Sequence, residues 1–330
     1  MQKLRRHQRC PKCSTLNVIR WGVQNGHQRF RCKECGVMFT PRRPDISSAN
    51  RFVWFRKWVL GKQSLASLSE ESGYSERQLR RWFSEYLENV PEWTVPRHRG
   101  IHLLIDGTWL PDERCIIVYR DYDRKSILYY HFGEDENEYE IASDLIMLRE
   151  MGVTISSFTT DGSEDIIRAI KYTHPHTLRQ RCLVHIEREC LSWLTQHPRT
   201  SAGILLRRLV RQINSIRTNN DRIFWLRELD RWHEEYGEFI RQKSVNKETG
   251  EMSYTHDKVR KAYIHLKRAI PNMFKFIVRP DVPKNTNAIE SFFGHLKDNL
   301  RIHRGLSFEH RIKFIRWYLY FSNERNRNIE

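Results

Sequence analysis

Four of the seven cysteines fall into two pairs, Cys10-x2-Cys13 and Cys32-x2-Cys35, with 18 residues between the pairs. Thiolates presented from two tight turns close around one tetrahedral Zn²⁺ when a hairpin brings the turns together. Four of them leave no open position for a substrate water, so the expected site is structural. Two disulfides are the alternative for the same spacing. The leading residues MQKLRRHQRC run into polar sequence rather than an apolar leader, which points to the reducing cytoplasm and to free thiols. A second chemistry comes from three carboxylates far apart in the chain, Asp106, Asp161 and Glu290. Brought together, they supply hard oxygen ligands for two Mg²⁺ (or Mn²⁺) ions, with positions left for water and a phosphate oxygen, as phosphoryl transfer requires. Each also has a plainer reading. Asp106-Gly107 suits a hairpin turn, and Asp161 with Glu164, like Asn287 with Glu290, has the spacing of a helix-start capping pair.

The elements that must position these residues are legible from periodicity. Between the cysteine pairs, residues 18–22 and 27–31 form short β-like runs around Gln24-Asn25-Gly26, whose Asn-Gly step is a hairpin turn signal. Lys3, Arg5, Arg6, Arg9, Lys12, Arg20, Arg29, Arg31 and Lys33 crowd this small module, which reads as a zinc ribbon set against nucleic acid. After the break Thr40-Pro41-Arg42-Arg43-Pro44, Phe52, Phe55, Trp58 and Val59 recur at helical spacing. A second helix is expected from Ser64. Gly73 then turns the chain, and Ser75 caps a third helix with the apolar stripe Leu79, Trp82, Phe83 and Tyr86. This is the pattern of a helix-turn-helix. Arg77, Gln78 and Arg81 lie on the other side of the third helix as base or phosphate contacts; an ordinary helical bundle with a charged face is the alternative.

Beyond the linker at residues 89–96, strands are expected at 101–105, 115–119 and 127–132. A helix carrying Ile141, Leu145 and Leu148 follows, then a strand at 153–160, a helix at Ile166, Ile167 and Ile170, and a strand at 178–184. The order βββαβαβ is an α/β signature and that of the RNase H-like fold, with one carboxylate on the first strand and a second just after the fourth. That reading demands a third carboxylate from a later helix. Glu290 meets the demand at the edge of the stripe Ile289, Phe292, Phe293, Leu296 and Leu300, with Lys297 and Arg301 on its side of the helix as contacts for a DNA backbone.

Charge agrees with this division. The 330 residues carry 57 Lys+Arg against 40 Asp+Glu, a net +17 with pI near 9.7. Residues 1–100 hold 20 of those cations and 8 of the anions, so +12 of the charge sits at the front and +5 on the other 230 residues. Such an excess attracts phosphate backbones without reading sequence; a merely soluble basic surface is the bland alternative. Hydrophobic residues at 39% supply a core, and no run of about 18 apolar residues offers a membrane span.

In Asp106 of LLIDGTWL, Asp161 of FTTDGS, Cys182 and His185 of RQRCLVHIERE and Glu290 of NTNAIESFFGHLK, the sequence resembles the DDE transposases of bacterial insertion sequences. The likeness is to the Mutator-like group, in its branch with an N-terminal zinc ribbon and helix-turn-helix, and RIHRGLSFEHRIKFIRWYLYF is similar to that group's C-terminal run. The resemblance implies that Asp106, Asp161 and Glu290 are the DDE triad and that the 128 residues between the last two contain a helical insertion. Apolar residues at Leu205, Leu206, Leu209, Ile223, Leu226, Leu229, Tyr263 and Leu266 support the insertion independently. Cys182-x2-His185 matches a family motif whose mechanical role the sequence does not supply; packing beside the cleft, or a second metal shared with Cys190 or His174, are the alternatives. Trp193, Trp225 and Trp232 are candidates either for stacking on an unpaired base or for the core.

The expected organisation is multidomain: a zinc ribbon at 1–40, a helix-turn-helix domain at 46–88, an RNase H-like α/β core at 100–186 and 281–330, and an all-α insertion at 187–280. The expected function is that of a DNA transposase, in the cytoplasm with the nucleoid, binding double-stranded transposon ends and target. It would cleave and transfer strands with Mg²⁺ and, by resemblance, work as a homodimer or higher oligomer, without a membrane. Self-association could use the insertion helices or the aromatic run 317–321. Arg304, Arg311, Lys313 and Arg316 are offered as backbone contacts or an exposed charged face. A non-catalytic DNA-binding regulator and a structure-selective nuclease on the same fold are the rivals.

Overall fold

Around the cysteines, the expected hairpin is formed by β1 (Val18–Gln24) and β2 (His27–Cys32), paired antiparallel from Val18↔Cys32 to Gln24↔His27. A third short strand, β3 (Met38–Phe39), adds to β2. The computed structural model describes residues 9–24, 26–40, 48–110, 114–245 and 250–327. Lys3, Arg5, Arg6, Asn25 and the break at 41–44 lie outside them. The chain divides into two compact units, Met1–Tyr86 and Leu87–Glu330.

Three helices follow these strands: α1 (Ser48–Leu60), α2 (Leu65–Ser72) and α3 (Glu76–Glu88). Ser64 caps α2 by accepting from Ser67 N–H at 3.2 Å, and Gly73 ends it in the left-handed region at φ 71°, where a side chain would be strained. Ser75 Oγ accepts from Gln78 N–H at the start of α3. Phe55, Val59, Leu68, Leu79, Trp82 and Phe83 are buried together, with the Trp58 and Phe83 rings 5.0 Å apart. The helix stripes read from the sequence therefore make one small core.

The second unit is built on a five-stranded mixed sheet. Its elements in order are β4 (Ile101–Trp109), β5 (Cys115–Asp121), β6 (Ser126–Gly133), α4 (Glu138–Glu150), β7 (Ile155–Thr160), α5 (Glu164–Thr173), β8 (Leu178–Arg181) and α6 (Leu183–Leu194). The sheet order is β6-β5-β4-β7-β8, antiparallel through the first three strands and parallel from β4 to β7 to β8. Alternation along the strands separates two faces. Leu103 and Ile105 of β4, Ile117 of β5 and Phe158 of β7 point to one face, where Ile141, Leu145 and Leu148 of α4 and Ile166 and Ile170 of α5 cover them. His102, Leu104 and Asp106, with Ser157 and Thr159 of β7 and Gln180 of β8, belong to the other face, and all are buried.

The expected fifth strand at 178–184 is shorter than read, because β8 ends at Arg181. Leu183 N–H donates to Lys284 O rather than to a neighbouring strand, and Ile186 N–H donates to Cys182 O. The chain therefore turns into α6 at Cys182, and Val184 and His185 are helical.

Next come α7 (Ser201–Gln212), α8 (Asn219–Tyr236), β9 (Lys243–Val245), β10 (Met252–Tyr254), α9 (Asp257–Ala269) and α10 (Lys275–Val278). Together with α6 they enclose a separate core of Ile186, Leu206, Leu229, Trp232 and Leu266. The all-α expectation is corrected by β9 and β10, an exposed antiparallel ladder whose Tyr254 carries the Lys243 ammonium and Arg260 guanidinium over its ring. Trp225 and Trp232 are 2% and 3% exposed and donate their indole N–H groups to Leu209 O and Ala202 O, so stacking on a base is not open to them. Last are α11 (Asn287–Ile302), which crosses the second face of the sheet at β4, and α12 (Phe308–Arg327), which packs on β6. Trp317, Tyr318, Leu319 and Phe321 are buried within this unit, which corrects the expectation that the 317–321 run serves self-association. Among the described residues, no helix is long and apolar enough to cross a membrane.

Trp225→Ala is expected to destabilise the second unit by about 3–5 kcal/mol, because it empties a core site and leaves Leu209 O without its donor. Phe224→Ala, at a neighbouring position that is 62% exposed, is expected to change stability by less than about 0.5 kcal/mol. Urea unfolding of the two variants tests the pair; equal losses would contradict the placement of Trp225.

Candidate active site

Asp106 is held inside β4, not at a turn: it pairs opposite Val118, with Gly107 opposite Ile117. The parallel register of β4 on β7 ends at Ile105↔Thr160, so Asp106 and Asp161 are the next residues on adjacent strands. Asp161 Oδ1 accepts from Ser163 N–H at 2.8 Å, which fixes the loop into α5. Glu290 lies one turn into α11. The residue preceding that helix is Thr286, which makes no side-chain cap, and Asn287 N–H is taken by Asn285 Oδ1, so the Asn287 and Glu290 spacing is not used as a capping pair.

Burial of Asp106, then the negative charge of Asp161 and, against the pull of His185, those of Glu290 and Glu136 raise its carboxyl from the ordinary 3.8 to about 7. The structure thus brings the three predicted carboxylates into one field. Glu136 is a fourth that sequence reasoning missed. It lies in the loop before α4, and its carboxylate occupies the space where a side chain on Gly107 would stand: a Cβ there would meet Oε1 at 2.1 Å. Burial and the Asp161 charge raise it too. The signal available in the sequence was the glycine directly after Asp106.

Glu290 is gripped on one oxygen only. Its Oε2 accepts from Arg188 Nη2 at 2.7 Å, while Oε1 is buried, has no hydrogen-bond partner, and faces His185 Nε2 at 3.5 Å. A buried carboxylate oxygen without a donor, beside a carboxyl raised by its like-charged neighbours, is what a divalent cation would satisfy. Asp106, Asp161 and Glu290 offer the hard oxygen donors that such an ion takes, although their carboxylate oxygens do not all lie within 4.8 Å of one another.

The Cys182-x2-His185 motif acquires a mechanical role. Cys182 Sγ accepts from both Thr286 N–H and Thr286 Oγ1–H at 3.4 Å, and Thr286 Oγ1 lies 3.4 Å from His185 Nδ1. The motif therefore pins the start of α11 to the start of α6 and aims His185 at Glu290. Burial acts to lower the His185 imidazolium, but the Cys182 sulfur and the charges of Asp106 and Glu290 outweigh it and raise the group to about 9. Neither companion suggested for a second metal is recruited: Cys190 donates to Ala262 O and His174 Nδ1 meets Thr173 Oγ1. The cluster that does form is Cys182, His185 and Glu290.

From Asp161 a groove of about 1150 Å³ runs between α5, α6 and α9. Seven Lys and Arg line it against three Asp and Glu, and the half-buried Trp193 stands in its wall beside His265. Lys297 and Arg301 are not among its lining residues. Lys297 is half-buried on α11, and Arg301 is exposed and paired with Asp298 at 3.5 Å. In the first unit, Arg77 and Arg81 are exposed and Gln78 is half-buried on α3, away from the Leu79, Trp82 and Phe83 stripe.

The four N-terminal thiols are free and clustered. Cys10 and Cys35 sulfurs are 3.5 Å apart, as are those of Cys13 and Cys32, and Lys12 N–H and Cys35 N–H donate to Cys10 and Cys32 sulfur. Zn–S bonds of about 2.3 Å set tetrahedral sulfurs about 3.8 Å apart, so the cluster fits one zinc ion with little rearrangement. Purified protein is expected to carry one equivalent of zinc, lost in Cys32→Ser and kept in Cys182→Ser. Two equivalents, or none, in metal analysis would contradict this assignment.

Two comparisons bear on ancestry. The family model described as Transposase, Mutator family, matches residues 116–305, which include Asp161, Cys182, His185 and Glu290 and begin after Asp106. The chain is also 31% identical over 100 residues to the transposase for insertion sequence element IS905 of Lactococcus lactis subsp. lactis (strain IL1403). That stretch is 27% of this chain and 26% of the relative, so the match spans about a quarter of the curated relative's length. With the family model extending over more than half of its residues, in a region that holds two of the three converging carboxylates and the cysteine-histidine motif, the chain belongs to the Mutator family of transposases.

Proposed function

We propose that the protein is a DDE transposase that binds the ends of its insertion sequence and cleaves and joins DNA strands with Mg²⁺ or Mn²⁺ on an RNase H-like core. The observation that carries this reading is the convergence of Asp106, Asp161 and Glu290, from a strand, a strand end and a helix, around one buried carboxyl at the edge of a basic groove. Divalent ions held by these three residues supply Lewis-acid stabilisation of charge on the phosphate oxygens and lower the pKa of the attacking group. The chain's own residues do the rest. Arg188 and His185 orient Glu290, Glu136 deepens the negative field that draws a cation in, and the cationic groove holds the polyanion. Attack by water on a phosphodiester breaks the P–O3′ bond and leaves a 3′-hydroxyl. Attack by that hydroxyl on a target phosphodiester forms the new P–O bond and expels the target's own 3′-oxygen, which takes up the proton.

The zinc ribbon and the helix-turn-helix, with Arg77, Gln78 and Arg81 on α3, form the end-recognition part in this reading. The match of Thr286, Cys182 and His185 to the placement of Glu290 gives the cysteine-histidine motif a place in the same centre. A dimer or larger assembly follows from the need to hold two ends at once. Lys297 and Arg301 contribute to backbone binding beyond the groove.

With labelled DNA carrying the element's ends, Asp106→Asn, Asp161→Asn and Glu290→Gln are each expected to lower Mg²⁺-dependent cleavage and joining together by on the order of a hundredfold or more. Full activity in any one of them overturns the triad. Cleavage without joined product would instead make the protein a nuclease, and zinc-dependent binding without strand chemistry would make it a regulator.

The raised Asp106 carboxyl has a defined pH signature. Its folded value, about 7, exceeds the ordinary 3.8, so the metal-free folded state keeps a proton that the unfolded chain releases. This group's contribution to stability therefore falls as pH rises from about 4 to about 7. A cation binds the ionised form, so the rise in Tm on adding Mg²⁺ or Mn²⁺ is expected to be larger at pH 8 than at pH 6 and to disappear in Asp106→Asn. An equal rise at both pH values would contradict the assignment.

A further inference from the structure

Arg181 is the last residue of β8, paired on the sheet with Thr160, and it opens into the groove beside Asp161. Its guanidinium occupies the space beside Gly162: a Cβ added to that glycine would meet Arg181 Cζ at 1.8 Å and Nε at 2.0 Å. Gly162 itself sits at φ 97°, a conformation that side chains rarely adopt, so backbone and space both call for glycine directly after Asp161. Arg181 Nε is buried without a hydrogen-bond partner. Burial lowers the guanidinium, and the charges of Asp161 and Glu189 only partly offset that. A half-buried guanidinium whose Nε is buried with its donor unmet is costly unless something anionic completes the group.

The groove it opens into is built for such an anion. Lys171 on α5 and Arg268 on α9 add to the positive lining, with Arg260 beside them over the Tyr254 ring. Other cations in the wall are already engaged: Arg168 by Glu138 and Asp165, Lys261 by Asp257, and Arg188 by Glu290. A guanidinium presents its donors as a fork that matches two phosphate oxygens, so Arg181 suits a phosphodiester better than an ammonium would.

We propose that Arg181, seated in the space left by Gly162, grips a backbone phosphate of the DNA strand lying in the groove between α5 and α9, next to the phosphodiester presented to Asp106, Asp161 and Glu290. This rests on the transposase reading for the identity of the strand, and it assigns Arg181 a binding role rather than a share in the metal centre. The insertion, through α9, then forms one wall of the DNA path.

The test is a binding measurement without cleavage. Wild type, Arg181→Gln, Arg181→Lys and Arg268→Gln are titrated, in Ca²⁺ in place of Mg²⁺, with a labelled duplex carrying the element's terminal sequence and flanking DNA. Single phosphates of the duplex are replaced in turn by neutral methylphosphonate. Arg181→Gln is expected to bind about tenfold more weakly, with a salt slope reduced by about 0.7–0.9, the value of one lost phosphate contact. In wild type, one methylphosphonate position beside the cleaved bond is expected to cost a similar factor, and in Arg181→Gln the same replacement is expected to cost nothing. Arg181→Lys is expected to recover only part of the affinity, and Arg268→Gln to leave the penalty at that position unchanged. An unchanged Mn²⁺-induced rise in Tm shows that the variant's centre is still folded. If that rise is lost in Arg181→Gln, Arg181→Lys carries the decision: full wild-type affinity there, or a methylphosphonate penalty that persists in either variant, overturns the proposal. Intact phosphate sensitivity in a wild-type protein that cleaves nothing would sink the transposase reading while leaving the Arg181 contact in place. Cleavage with no position-specific sensitivity would do the reverse, and a wild type that binds no DNA overturns both.

Discussion

A chain that leaves its sheet after β8 and returns only from Met273 onward, into α11, must be fastened on its return, or Glu290 cannot stay beside Asp106. The fastening is a row of buried polar groups on one face of the sheet. Thr159 Oγ1 donates to Pro283 O, Gln180 Nε2 to Met273 O, and Lys275 N–H to Gln180 Oε1. His102 lies between Ser157 Oγ, 2.7 Å from its Nδ1, and Asp281, 3.2 Å from its Nε2. Leu183 N–H meets Lys284 O, and Cys182 receives both donors of Thr286. Apart from the His102 and Ser157 contact within the sheet, these groups find their partners in the returning segment, so the segment cannot slide without leaving several buried donors and acceptors unmet. The position of the third carboxylate depends on this strap.

The centre that the strap completes is an electrostatic compromise. Asp106, Asp161, Glu290 and Glu136 are gathered where burial and mutual repulsion raise Asp106 to about 7. The cations allowed near them are few and directed: Arg188 takes one oxygen of Glu290, and His185 faces the other. The negative field is thereby kept for a cation, while the positive lining begins just outside it in the groove. Gly107 and Gly162, each directly after a carboxylate, make the two close approaches possible, one for Glu136 and one for Arg181. The same dipeptide pattern thus serves an anion on one strand and a cation on the next.

Much of this was legible in the chain. The strand and helix order, the cysteine hairpin, Ser64, Gly73 and Ser75 at the helix ends, and the apolar stripes were readable because they depend on local periodicity and on backbone geometry that glycine or a capping hydroxyl permits. The errors have a common cause. Residues 178–184 read as one strand, but a hydrogen bond from Leu183 to a carbonyl about a hundred residues later ends the strand at Arg181. The 317–321 run carried no local mark of whether it faces a partner or a core, and most of it is buried within its own unit, while Trp225 and Trp232 take the core place that was one of their two readings. The β9 and β10 ladder is too short and too exposed to register as alternation.

The residue types able to do chemistry, their order along the chain and the elements that carry them were determined by the sequence alone, since spacing and periodicity are properties of neighbours. Only the tertiary structure decided that Glu290 leaves one oxygen facing His185 without a hydrogen bond, that Cys182 and His185 hold its helix, that Glu136 enters the centre and that Arg181 fills the space beside Gly162. Those outcomes rest on contacts between residues tens to more than a hundred positions apart, whose geometry is set by how the sheet face, the insertion and the returning segment pack together and by no local pattern.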